Sequence, residues 1–273
     1  MHPAMLVSIG GGTMAHALIA GSLAARALTP EQCAVAEPDE ARRARVAALG
    51  VPVVPDAAAL SRFMDASTQV LLAVKPQSLE DVASVAAPLN LPARVLISIL
   101  AGTTSHRLAR SLGSQRIIRV MPNTPAQVGA GCAAVALAGA ARPGDEGLAM
   151  RILSACCPVV ERIDESLMDA FTALAGSGPA YVYYLAEAME LAASQMGFDS
   201  AQARRFTRQV IAGAARLMER SAERNPADLR ADVTSKGGTT EAACRTLDLA
   251  STRDSLVRAI LAARDRGAEL ARL

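Results

Sequence analysis

In the last third of the chain, Val233-Thr234-Ser235-Lys236-Gly237-Gly238-Thr239-Thr240-Glu241 sets hydroxyls around two glycines just before a helical pattern. The first amides of a helix lack carbonyl partners within it, and the helix dipole favours an anion beside them. Gly237, Gly238 and Thr239 can therefore offer N–H groups to a carboxylate without a cationic clamp. Thr240 can offer its hydroxyl to a ring held there. Ser and Thr are also the preferred residues of a plain N-cap, so spacing alone leaves a capping turn and a ligand site both open. Whatever chemistry occurs there runs without imidazole, because His2, His16 and His106 all lie in the first half.

A second constellation stands near the start. Gly10-Gly11-Gly12-Thr13-Met14-Ala15 is a GxGxxA that follows an apolar run and opens a helical one. Glycines there allow a tight turn and let a pyrophosphate approach the amides at the helix start. Glu37 ends the second apolar run, where an acid binds the ribose hydroxyls of a dinucleotide and favours NADH over NADPH. Arg42 and Arg43 follow closely and could hold a 2′-phosphate instead, and an exposed loop carboxylate is the plain alternative. Two further segments follow strands. Ala73-Val74-Lys75-Pro76-Gln77 puts Lys75 where ligands sit in open α/β sheets, facing a phosphate or carboxylate or simply capping the strand. Val120-Met121-Pro122-Asn123-Thr124-Pro125 makes a stiff loop, suited to presenting Asn123 to a nicotinamide and equally suited to a structural turn.

The elements that must position these groups fall into two sets. Met5–Ile9, Cys33–Ala36, Gly50–Val54, Val70–Val74, Val95–Ile99, Ile117–Val120, Cys132–Ala138 and Val159–Ile163 read as strands. Continuous apolar runs separated by helices predict a parallel sheet covered on both faces. Thr13–Ala27, Asp39–Leu49 and Arg151–Cys156 read as helices of this half. From Glu165 onward only helical periodicity remains, over Ser166–Met196, Ser200–Glu223 and Thr239–Leu273. Gly176-Ser177-Gly178-Pro179 interrupts the first of these as a kink or a close approach to a neighbour. The boundary falls near Ile163, giving a dinucleotide-binding domain over 1–163 and a helical domain over 164–273. Long Ala-rich apolar faces on that second domain predict a homodimer or higher homo-oligomer.

Composition narrows the partners. The 273 residues are 51% apolar, enough to bury two cores, and no uninterrupted apolar stretch is long enough to span a bilayer. The net charge is +2 with basic residues scattered, and Trp is absent, so neither a nucleic acid nor a membrane surface is expected. The five cysteines, Cys33, Cys132, Cys156, Cys157 and Cys244, form no CxxC and fit reduced thiols in a cytoplasm. No spacing suggests a metal site.

The blocks IGGGTMA, AVKPQ, RVMPNTPAQVGAG, ALAGSGPAYV and DVTSKGGTTEA, in this order, resemble the motifs of pyrroline-5-carboxylate reductases from end to end. The resemblance implies a Rossmann-type α/β N-terminal domain joined to an all-α C-terminal dimerisation domain. It implies NADPH- or NADH-dependent reduction of 1-pyrroline-5-carboxylate to L-proline, the last step of proline synthesis. Cofactor contacts would fall on Ile9, Gly10, Gly11, Gly12, Thr13, Met14, Ala73, Val74, Lys75 and Pro76. The substrate shell would fall on Glu165, Glu223, Asp232, Val233, Ser235, Thr239 and Thr240, with Thr240 hydrogen-bonding the substrate nitrogen. Lys236 stands where the family usually has proline, and Thr13 where it has asparagine. The rival readings are a reductase for another cyclic imine or a hydroxyacid, and a non-catalytic dinucleotide-binding redox sensor.

Overall fold

The computed structural model describes residues 3–271, so His2 lies outside the described residues. The chain divides into two compact units: one runs up to Ser177 and takes in the chain from Ala263 on, and the other is Gly178–Ala262.

The first unit is built on one eight-stranded sheet, in the order β3-β2-β1-β4-β5-β6-β7-β8. Its strands are β1 (Leu6–Ile9), β2 (Cys33–Ala36), β3 (Val53–Val54), β4 (Gln69–Leu72), β5 (Val95–Ser98), β6 (Arg116–Pro122), β7 (Cys132–Gly139) and β8 (Val159–Arg162). Side chains alternate across a strand, and the apolar runs use both faces. Val7, Ile9, Val70, Leu72, Leu96 and Ile117 join one core, under helices α3 (Leu79–Val85) and α4 (Ser105–Leu112). Leu6, Val35, Leu71, Ile97, Ile118 and Val120 join the other, under α1 (Thr13–Ala24) and α5 (Gly147–Ser154), while α2 (Glu40–Ala47) adds Val46. All of these strands are parallel except at one pairing, where β7 runs antiparallel to β6. The expected parallel sheet is found at every other pairing. A parallel return needs a crossover of a dozen or more residues, and the short connection Asn123–Gly131 permits only a hairpin-like reversal.

The chain after β8 does not leave the sheet at Ile163. Met168, on the one-turn helix α6 (Met168–Phe171), packs on Ala134 and Ala136 of β7. A π-turn follows over Thr172–Gly176, and α7 (Gly178–Gln195) restarts directly after it. The expected kink and the expected close approach are both present: a Cβ on Gly176 would stand 2.8 Å from Met121 Cε. The compact units divide after Ser177, because α6 and the π-turn pack on the sheet, while the expected domain boundary at 163/164 falls between β8 and α6.

The second unit contains α7, α8 (Ser200–Arg220), α9 (Pro226–Asp232), α10 (Thr239–Leu249) and most of α11 (Thr252–Leu270). Asp199 caps α8, accepting from Gln202 N at 2.8 Å while Gln202 accepts from Asp199 N at 3.2 Å, a reciprocal box that fixes the helix start. Asn225 caps α9 through Asp228 N at 3.1 Å. The long helical pattern from Thr239 is broken at Ser251, whose positive φ of 52° starts α11 in a new direction. Few apolar side chains are buried within this unit, and Tyr184, Leu191, Val210 and Leu217 are all exposed.

Candidate active site

In the first unit the glycine loop lies between β1 and α1. Gly10 has φ +103°, and a Cβ there would stand 2.6 Å from the Ala73 carbonyl oxygen at the end of β4. Only glycine allows that approach, which brings Ile9–Met14 and Ala73–Pro76 side by side, as the two expected cofactor segments require. Gly11 is less tightly enclosed, a Cβ there meeting the Glu37 and Val46 side chains at 3.1 and 3.2 Å. Gly12 caps α1 with its flank open and without a side-chain cap bond. The amides of Thr13, Met14 and Ala15 have no partner among the described residues, so this helix start can receive an anion. His16, the next residue, is half-buried. Burial first, then Arg45, holds its imidazole below the usual range, so at neutral pH it adds no charge to the cradle.

Glu37 is not an exposed loop carboxylate; it is 4% exposed. One of its oxygens accepts from Gly11 N at 2.8 Å, and the other from Asp39 N at 3.0 Å with Arg42 Nε at 3.3 Å. Arg43 donates to the Glu37 carbonyl at 3.0 Å. The acid thus ties the glycine loop to the end of β2, and Arg42 and Arg43 are turned toward that structure. Lys75 is exposed at the start of the turn Pro76–Ser78, past the end of β4. These residues fit a dinucleotide: a glycine cradle a Cβ would fill, open helix amides, and an acid beside them.

Asn123 is held at both ends of its side chain. Its side-chain amide donates to Ala175 O at 3.1 Å and its side-chain carbonyl accepts from Cys132 N at 2.9 Å. Both ends are committed to backbone, because the reversal between β6 and β7 needs a pin. The Asn123 side chain thus pins the loop, as the structural-turn reading expects.

Glu165 is likewise engaged. Its carboxylate accepts from Ser105 N at 2.9 Å, Ser105 Oγ at 2.7 Å and Arg119 Nη1 at 3.0 Å. Burial alone would raise this carboxyl, but the Ser105 donors and Arg119 together outweigh it and hold it below its usual range. Arg119 is buried on β6, and neither it nor Ser105 was expected. The signal was present as an arginine inside an otherwise apolar strand, Ile117-Ile118-Arg119-Val120.

In the second unit the turn Ser235–Gly238 leads into α10. Gly238 N donates to Ser235 O at 3.0 Å, and Gly237 takes φ +73° at the position of the turn that requires it. A Cβ on Gly238 would stand 2.5 Å from Ser235 Oγ. Gly237 N donates to Glu241 Oε2 at 2.7 Å. Two of the three amides expected to hold a carboxylate, those of Gly237 and Gly238, are therefore already used. Those of Thr239 and Thr240 have no partner among the described residues, and α10 carries no side-chain cap. Thr240 is half-buried beside them. Asp232 ends α9 and pairs with Arg224 at 2.7 Å, which holds its carboxyl below the usual range; Val233 and Glu223 are exposed nearby in sequence.

Residues 165–270 match the family model for pyrroline-5-carboxylate reductase dimerisation, and residues 6–102 match one described as NADP oxidoreductase, coenzyme F420-dependent. A pyrroline-5-carboxylate reductase of Synechocystis is 40% identical over 96% of both chains. One of Pseudomonas aeruginosa is 38% identical over 96% of this chain and 95% of its own. Among solved structures, the reductase of Coxiella burnetii has a TM-score of 0.86 at 32% identity, covering 99% of each chain. The Plasmodium falciparum pyrroline carboxylate reductase with NADP bound has a TM-score of 0.84 at 26% identity, again over 99% of each chain. Likeness at that identity over the full length, through both the glycine cradle and the α10 turn, makes this chain a member of the pyrroline-5-carboxylate reductase family.

Proposed function

We propose that the chain reduces the carbon–nitrogen double bond of 1-pyrroline-5-carboxylate to give L-proline, with the α10 turn as the substrate's carboxylate site. The observation that carries the reading is the open start of α10, with free Thr239 and Thr240 amides beside the Thr240 hydroxyl. A nicotinamide cofactor held by the glycine loop would supply a hydride, with both electrons, and the substrate imine, entering protonated on nitrogen, would leave as the neutral amine with no further proton required. The chain supplies position. The Thr239 and Thr240 amides hold the carboxylate, and the Thr240 hydroxyl hydrogen-bonds the ring nitrogen. Ser235, Asp232, Val233 and Glu223 complete the substrate shell by way of the family resemblance. Glu165 is held by the amide and hydroxyl of Ser105 and by Arg119, and Asp232 by the Arg224 side chain.

The pyrophosphate of NADH or NADPH lies on the Gly12–Ala15 end of α1 in this reading, with Lys75 at the neighbouring strand end. Glu37 favours NADH, since a 2′-phosphate brought to the end of β2 would meet a buried carboxylate. The assembly is a homodimer or a larger homo-oligomer, and the compartment is the cytoplasm, a reading that five unpaired cysteines support. No helix among the described residues is long and apolar enough to cross a membrane.

The test is steady-state turnover of 1-pyrroline-5-carboxylate with each cofactor, for the parent chain and for Thr240→Ala. Losing one hydrogen bond worth roughly 1–3 kcal/mol should cut turnover by about one to two orders of magnitude, and Thr240→Ser should restore most of it. Full turnover in the alanine variant would reduce Thr240 to a helix residue. Dinucleotide binding with no turnover of any cyclic imine would favour the redox-sensor reading.

A further inference from the structure

Glu241 occupies a place that the start of α10 does not require of it. It is the third residue of the helix, where a glutamate ordinarily reaches back to the N-cap amide. Here that amide, Gly238 N, is taken by Ser235 O, and the Glu241 carboxylate reaches one residue further to Gly237 N at 2.7 Å. An internal anion therefore sits on the same turn whose neighbouring amides are open. Gly237 and Glu241 are both exposed, so solvent and ligand can compete for this bond. Glu241 also has somewhere else to go. Together with Gly237, Gly238 and Arg245 it lines an open groove of about 740 Å3. Arg245, one helical turn on and at the favourable i,i+4 spacing, has no partner among the described residues.

We infer that Glu241 is an internal competitor for the substrate carboxylate, holding the Gly237 amide between turnovers and releasing it toward Arg245 when the substrate binds. The inference rests on the proposed placing of that carboxylate at the α10 turn. Two carboxylates cannot share one amide, and like charges at contact distance repel. In the released position Gly237 N joins the Thr239 and Thr240 amides, so the substrate gains a third donor that Glu241 had covered. The cost appears in affinity alone: a site whose competent state is populated only in part binds more weakly by that fraction. Glu241 thereby sets the KM for the carboxylate-bearing ligand, as a positioning residue that never touches the reacting atoms.

The experiment measures the KM for 1-pyrroline-5-carboxylate and the product inhibition constant of L-proline in the full chain and two variants. Glu241→Gln keeps the side chain's length and removes its charge. It should lower both constants together by about 3- to 10-fold, the factor expected if the closed form holds most of the population. The KM for the nicotinamide cofactor should not follow. Arg245→Gln removes the landing partner and should raise both constants. If Glu241→Gln leaves the constants unchanged or raises them while Thr240→Ala still cuts turnover, Glu241 is only a turn cap and the inference fails alone. If neither Glu241→Gln nor Thr240→Ala has any effect, the placing of the carboxylate at this turn fails and takes the inference with it.

Discussion

Glu37 and Glu165, on different elements of the first unit, are each held by backbone N–H and one arginine: Glu37 by the amides of Gly11 and Asp39 with Arg42, Glu165 by the amide and hydroxyl of Ser105 with Arg119. For Glu37, the acid at the end of β2 is readable from the motif spacing, but its bond to the glycine loop is not, since that depends on where the loop backbone lies. The same limit applies at α10: the glycine-hydroxyl run is plain in the sequence, while the diversion of two of its amides to Ser235 and Glu241 is a matter of turn geometry. The Glu165–Arg119 pair has a measurable consequence. Because the Glu165 carboxyl is held below its ordinary 4.5, it contributes stability above that pH and loses it as pH falls through the depressed value. Arg119→Met removes one of the groups that depress it, so acid unfolding should begin at a higher pH. The side chain of Glu165 is 30% exposed, so the loss near neutrality should be about 2 kcal/mol, below the range for a fully buried pair. Melting temperature followed from pH 7 to pH 3 checks both effects; superimposed curves for parent and variant would show the pair to be energetically inert.

At the scale of elements, strand positions follow from the apolar runs almost residue by residue, because a strand buried on both faces admits little else. Cys33–Ala36 is found as expected, and β1, β4, β5 and β8 shift by one or two residues at their ends. What the runs do not carry is direction. The reversal at β7 comes from the length of the connection before it, and the seven-residue α3 and α9 carry too few turns to impose a period. The glycine loop offers a test of how closely β1, α1 and β4 are fitted. Gly10→Ala sets a Cβ 2.6 Å from the Ala73 carbonyl at a φ that L-residues rarely take, which should cost about 1–3 kcal/mol and weaken dinucleotide binding as the loop shifts. Gly12→Ala has room, with φ −61° and no atom within 4 Å of the new methyl. Its melting temperature should match the parent's, while its cofactor affinity falls because the methyl stands over the helix amides. A Gly12→Ala chain that binds NADH as tightly as the parent would move the pyrophosphate off this helix end.

For the whole molecule, the second unit raises the question of what covers it. On α8, Phe206, Val210 and Leu217 fall along one stripe and are all exposed, as are Tyr183, Tyr184 and Leu191 on α7. Within the helices of this unit, the fully buried side chains are small or polar, namely Ala193, Ala203 and Thr207. A unit of this size needs a core to persist in water, and apolar surface this continuous marks an interface. Residues 165–270 match a dimerisation family model, which supports a homo-oligomer, and we propose that a second copy of the chain covers this surface. The full chain should therefore sediment as a dimer or larger species at micromolar concentration. Val210→Glu places a charge in the middle of the α8 stripe, where association would bury it without a partner. It should shift the chain toward smaller species and lower turnover in step. Dinucleotide binding is the control, since the glycine cradle belongs to the other unit and should survive. A parent chain that is monomeric at these concentrations would overturn the assembly outright. A Val210→Glu chain that sediments like its parent would place the contact on another stripe, and Tyr184→Glu on α7 then repeats the test from the neighbouring helix.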